Sequence, residues 1–243
     1  MTVVRAEVLK LRTTRTMLWL LLAMLGLVVL AVTLHGLGLA LEDVSKHPTQ
    51  MRIFIAGQNL GSVFAALAGA AAVTSEFRYG TIRPTLVAAP DRSTVMLGKA
   101  GTSALVGFAL GLLATVSAAA LTLGLLHMRD VTVLLDHDDL LHGILGGAAD
   151  GALWAVLGLG IGGLMRNQVG AIIGIFVWVQ VIENLLIDSA PKVSSYLPGA
   201  LAQAVAGSRQ GSLGTAPALS LLALYAAVVL AACVARIRRT DVA

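Results

Sequence analysis

Apolar and polar positions along the chain sort into six long apolar runs with short polar breaks, at about 17–41, 53–75, 100–126, 143–165, 169–187 and 215–235. A helix needs about 20 mostly apolar residues to cross the hydrocarbon core of a bilayer. Each run meets or approaches that length. None shows the alternation of a lipid-exposed barrel strand. The pattern predicts an all-α polytopic membrane protein with six transmembrane helices in one domain, 1–243. The break Met165-Arg166-Asn167-Gln168 is so short that the fourth and fifth spans must form a tight helical hairpin. The first run follows a basic segment, as a signal peptide would, but it is longer than the 7–15 residues of such a peptide's apolar core. It is expected to be a retained helix.

Ahead of the first span, Val4, Val8 and Leu11 share one helical face, while Arg5, Lys10 and Arg12 project elsewhere. Residues 1–16 therefore suit an amphipathic helix lying in the inner interface; a basic tail that only sets topology fits as well. Near the other end, 188–214 is long for a loop and half apolar. It reads either as a segment dipping back into the outer leaflet or as a surface helix.

Composition strengthens the membrane reading. Apolar residues make up 57% of the 243 and charged ones only 12%, against about 25% charged in a soluble domain. The mean hydropathy is +0.87. Many glycines and few aromatics suit helices packed backbone to backbone, since small residues permit close approach in lipid. The lone cysteine, Cys233, excludes an internal disulfide and sits in an apolar run.

Charge orients the chain. With the N-terminus inside, twelve of the 17 lysines and arginines lie on the cytoplasmic side, among them Arg15, Arg78, Arg83, Arg92, Lys99, Arg166, Arg236, Arg238 and Arg239. Five lie outside: Lys46, Arg52, Arg129, Lys192 and Arg209. The positive-inside rule then places both termini in the cytoplasm, in a cell's inner or cytoplasmic membrane. The net charge of +4 reflects this topology and is no argument for nucleic acid as a partner.

The stretch SEFRYGTIRPTLVAAPDRSTVMLGK, 75–99, is the longest interior polar segment. Tyr79-Gly80-Thr81 forms a turn, because glycine tolerates positive φ and Thr81 is a good helix cap. A short amphipathic helix over 81–89 is expected next, broken by Pro90-Asp91. Mounted between two long helices, such a helix works as a lever.

These residues carry a family resemblance. Glu76-Phe77-Arg78-Tyr79-Gly80-Thr81-Ile82-Arg83-Pro84-Thr85-Leu86, followed by Pro90, Arg92 and Lys99, resembles the E-x-x-x-G-T-x-R-x-x-L…P-x-R…K loop of ABC-2 type permeases, the membrane subunits of type V ABC exporters. The resemblance implies a cytoplasmic coupling helix between spans two and three. It also implies a coupling surface at Glu76, Phe77, Arg78, Tyr79, Gly80, Thr81, Arg83, Pro90 and Arg92. It implies a separate ABC ATPase in two copies that binds ATP and magnesium, and a second permease copy, giving a homodimer. Export of an amphipathic or cationic drug, peptide or lipid by alternating access follows from the same resemblance. The chain itself has no Walker A loop; Gly98-Lys99-Ala100 lacks both the hydroxyl and the upstream glycine. No serine is tied to a histidine by sequence, so the chain is not expected to be an enzyme by itself.

Polar residues inside the spans are the remaining candidates, because charge within a membrane is costly. Asp150 lies in the fourth span and Glu183 in the fifth, where it stands near Gln180 and Asn184; Gln58 and Asn59 lie in the second. They read as a path between two protomers, or as groups satisfied locally. His137, Asp138, Asp139 and His142 gather in an outer loop, but their spacing matches no standard metal site, and none is assigned. Two other classes stay open: an ion-coupled secondary transporter or channel using Asp150 and Glu183, and a non-transporting immunity or scaffold protein.

Overall fold

The structure, a computed structural model, describes residues 15–81, 92–207 and 213–239, except for the side chains of 187, 188, 191 and 192. The expected interfacial helix, the lever helix, and Arg83 and Pro90 lie outside the described residues. Among these residues the chain is helical throughout, without strands, and six helices are long and apolar enough to cross a membrane. They are α1 (Arg15–Leu37), α2 (His47–Arg78), α3 (Arg92–Met128), α4 (His137–Met165), α5 (Gln168–Leu186) and, after the short helix α6 (Pro198–Val205), α7 (Thr215–Arg239).

Local chemistry sets several of the ends. Pro48 stands in the first turn of α2, and Pro198 opens α6, where a missing N–H costs nothing. Asp136 caps α4 by accepting from the Asp139 N–H at 2.8 Å, and Asp139 answers by accepting from the Asp136 N–H. Between α4 and α5, Arg166 takes a left-handed φ of 54° and its N–H returns to Gly162. Asn167 then caps α5 through the Gly170 N–H. Two residues thus turn the chain through the expected hairpin. The first helix stops at Leu37, ahead of the expected Leu41; a bend at Gly38 and a single turn at Leu41–Val44 follow.

The centre of the bundle is α2, which is buried along most of its length and packed against α1, α3, α4 and α5. Its contact with α4 is backbone on backbone. A Cβ on Gly158 would meet the Ala66 carbonyl, and one on Gly69 would meet that of Ala155. Between α3 and α4, Gly107 and Gly151 lie against each other's carbonyls in the same way. By contrast α1, α5 and α7 turn large apolar side chains outward, such as Leu30, Leu34, Ile173, Phe176, Leu224 and Val228. Water would penalise so broad an apolar belt, whereas lipid accepts it.

The two ends of the bundle differ in charge. One gathers Arg78, Arg92, Arg166, Arg236, Arg238 and Arg239 from the ends of α2, α3, α4 and α7. The other gathers Glu42, Asp43, Asp130, Asp136, Asp138 and Asp139 with Lys46, Arg52 and Arg129.

Candidate functional site

Two regions collect the chemistry: a clamp at the arginine end and a chain of cavities in the other half.

At the arginine end, Glu76 lies in the last turn of α2 and Lys99 in the second turn of α3. The Lys99 Nζ donates to Glu76 Oε1 at 2.7 Å, and both side chains are almost fully buried (1% exposed for Lys99, 6% for Glu76). Burying two charges is tolerated only when each finds the other. Here the pair fastens the helices on either side of the polar segment. Glu76 therefore faces inward; the surface beside it is made by its neighbours. Arg78 and Tyr79 are exposed, with the guanidinium 5.6 Å from the ring centre, and Arg78 reaches Gln168 at 3.3 Å. Phe77 is half-buried under Arg166, 5.5 Å from its ring centre. Gly80 takes a φ of 69° with open space around it, the left-handed turn that favours glycine. Thr81 is exposed. Arg92 donates to the Ile237 carbonyl at 3.0 Å, Arg236 to that of Leu164 at 2.7 Å, and Arg238 to Ser93 Oγ at 2.7 Å. These bonds bind the end of α7 to α3 and α4.

In the other half, Asn59, Gln180, Glu183 and Asn184 line one chamber of about 430 Å3 between α1, α2, α5 and α6. Ser62, Trp154, Ser194, Gln203 and His35 complete its polar wall. Glu183 is only 5% exposed. Its Oε1 accepts from the Trp178 indole at 2.9 Å and its Oε2 from the Gly199 N–H at 2.8 Å. The second bond caps α6 with a carboxylate from another helix, where the helix dipole favours negative charge. A Cβ on Gly199 would collide with that carboxylate, so the close approach requires glycine. The Trp178 bond has its own cause. Trp178–Ile182 is a π-helical turn within α5, which stacks residues five apart instead of four.

Gln58 and Asp150 do not line the chamber. They lie behind it, in the seam between α2 and α4. Asp150 is fully buried and accepts a hydrogen bond from Ser62 Oγ. Among the described residues the Gln58 amide makes no hydrogen bond, while the Trp154 indole faces the Asp150 carboxylate. Ser62 touches both regions, bonding Asp150 and lining the chamber.

A wider cleft of about 590 Å3 opens toward the acidic end, lined by His35, Asn59 and Gln203 again and by Asp43, Thr49 and Arg52. The outer histidines and acids are engaged locally: His47 pairs with Asp139 at 2.7 Å and His142 with the Asp138 carbonyl at 2.8 Å. Among the described residues, no group of three or more His, Cys, Asp or Glu could hold a metal ion.

Sequence reasoning missed Lys99 as the partner of Glu76, and Trp178 and Gly199 as the partners of Glu183. One signal was available for the first: an acid and a base stand at the same end of two successive antiparallel spans. The Trp178 partnership had none, because a π-turn leaves no periodic trace in so short a stretch. In comparisons with known proteins, no family model and no curated protein matches the chain.

Proposed function

We propose that this chain is the membrane-spanning permease subunit of an ATP-driven exporter of the ABC-2 type, working with a separate ATPase and a second permease copy. The observation that carries the reading is the buried Glu76–Lys99 pair. It joins the central helix α2 to α3 on either side of the segment that resembles the coupling loop. A push on that segment would be transmitted to two long helices together, since a packed core is not continuously deformable. The concentration of arginine at this end supports a cytoplasmic placement by the positive-inside rule. ATP closes the partner ATPases, the segment moves with them, and the chamber at Glu183 opens to the far side. Nucleotide shifts the conformational population only through differential contacts at that surface. Its accessible members here are Arg78, Tyr79 and Thr81.

The test is purification of the chain in mild detergent with identification of any ATPase that accompanies it. The expected result is a stoichiometric ATPase, lost when Arg78 and Tyr79 are replaced by glutamate and alanine. A homomer without ATPase, under conditions that keep other membrane complexes intact, would overturn the reading.

One observation favours a second reading. Among the described residues no basic side chain pairs with the buried Asp150, and ion-coupled transporters place acids in this way. Flux driven by a proton gradient without ATP, abolished in Asp150→Asn, would establish that alternative.

A further inference from the structure

Three cavities adjoin one another within this single chain. The first is an apolar groove of about 430 Å3 between α5 and α7, floored by Leu157 and Ile161 of α4 and flanked by Gly174, Ile175, Tyr225 and Val229. The second is the Glu183 chamber, which shares Trp154, Val179 and Leu197 with the groove. The third is the acidic-end cleft, which shares His35, Asn59 and Gln203 with the chamber. Their order along the membrane normal follows from helix rise. Gly174 is six residues beyond the start of α5 and Glu183 fifteen, or roughly 9 and 22 Å at 1.5 Å per residue. The groove thus occupies the arginine-end half of the bundle, the chamber the other half.

We propose that the transport route runs through one protomer: an amphipathic organic cation enters sideways from the bilayer through the α5–α7 groove and passes its charged head to Glu183. This rests on the transporter reading, though not on the ATPase. The charge of the chamber selects the occupant. Among the described residues lining the chamber, Glu183 is the only acid, it stands among neutral amides, and no lysine or arginine opposes it. Its oxygens accept from the Trp178 indole and from the Gly199 and Ala200 backbone N–H groups, which leaves one of about four acceptor sites for a ligand. The groove offers the apolar body a seat with no charged side chain among the described residues that line it. The π-turn sits at the junction: Trp178 lines the groove and donates to Glu183.

The experiment measures binding of two dyes to the purified chain in detergent, without any ATPase: rhodamine 6G, a lipophilic cation, and Nile red, an uncharged lipophile. Dye is read by quenching of tryptophan fluorescence, and folding by thermal unfolding. Rhodamine 6G is expected to bind at one per chain. Gly174→Leu, whose new Cβ meets only the Met165 side chain at ordinary van der Waals distance, is expected to weaken both dyes about tenfold by filling the groove. Glu183→Gln is expected to weaken rhodamine 6G about tenfold and leave Nile red unchanged, since charge-assisted bonds are the stronger ones. Unaltered affinity for both dyes in a Gly174→Leu protein that unfolds like the parent would overturn the groove. One dye per two chains would move the route to a protomer interface and overturn the proposal. So would equal loss of both dyes to added phospholipid with no effect of Glu183→Gln, which would make the groove a lipid seat. Absence of a partner ATPase would remove the exporter reading and leave these outcomes as they stand.

Discussion

The α2–α3–α4 block and the α5–α6–α7 flank are made of similar apolar residues and hold together by different means. In the block, glycine and alanine bring backbones into contact, and a buried ion pair and a buried Ser62–Asp150 bond lie between the helices. In the flank, few residues of α5 and α7 are buried, α5 carries a π-turn, and cavities lie on both sides of it. Dispersion is lost wherever one side of a side chain has no partner atoms. The block is therefore the rigid part and the flank the part able to move. The exporter proposed above would need both, one to receive force and one to open.

The comparison breaks most visibly at paired glycines. Gly158→Leu drives a side chain into the Ala66 backbone carbonyl, and a backbone neighbour cannot rotate away as a side chain can. Overpacking typically costs about 1–3 kcal/mol, more where nothing yields. Gly158→Leu is expected to exceed about 4 kcal/mol, at the diagnostic end of single substitutions. Size-exclusion profiles and thermal unfolding in detergent would show aggregated or unfolded protein. A monodisperse Gly158→Leu variant with the parent's melting temperature would refute the backbone contact.

Next in size is the ion pair. Lys99→Met leaves the Glu76 carboxylate in the bundle without its ammonium partner and is expected to cost about 3–5 kcal/mol. The double variant Glu76→Gln/Lys99→Met removes both charges and is expected to recover most of that loss, because buried pairs are often replaceable by neutral groups. Thermal unfolding of the two singles and the double closes the cycle. A double as unstable as Lys99→Met would show that the charge itself is not what the site requires.

In outline both halves were legible in the sequence. Six apolar runs, the hairpin at 165–168 and the polar segment at 75–99 are written in composition and spacing, because a membrane imposes length and hydropathy directly. Which face of a span a polar residue takes is not. Gln58 and Asn59 are adjacent, yet one enters the α2–α4 seam and the other lines the chamber, as 100° of helical rotation requires. Asp150 and Glu183 read alike as buried acids and have different surroundings. Glu76, grouped with the exposed loop by its motif, is turned inward by Lys99, 23 residues away. Such pairings are tertiary facts, and nothing local encodes them.

In the flank the expected penalties shrink. Trp178→Phe keeps the ring body and removes the N–H given to Glu183 at 2.9 Å. The carboxylate retains the Gly199 N–H and access to the chamber. The loss should be about 1–2 kcal/mol, the range for a hydrogen bond to a charged acceptor with partial compensation. Thermal unfolding reads it directly. A cost as large as that of Lys99→Met would place Glu183 in the rigid part and erase the contrast.

The smallest expected effect comes from the same substitution that heads the series, moved to the flank. A Cβ on Gly174 meets only Met165 Sδ at 3.8 Å and its methyl at 4.0 Å, so Leu extends into the α5–α7 groove and not into backbone. Glycine inside a helix is about 0.8–1 kcal/mol worse than a good helix former. Gly174→Leu is therefore expected to leave stability unchanged or raise it by up to about 1 kcal/mol, while Gly158→Leu collapses the fold. The same residue change with opposite signs on two faces of one bundle would isolate packing as the cause, since propensity is common to both. If Gly174→Leu destabilised as strongly as Gly158→Leu, α5 would have to be packed against α7 in the membrane, and the flank could not serve as the side that opens.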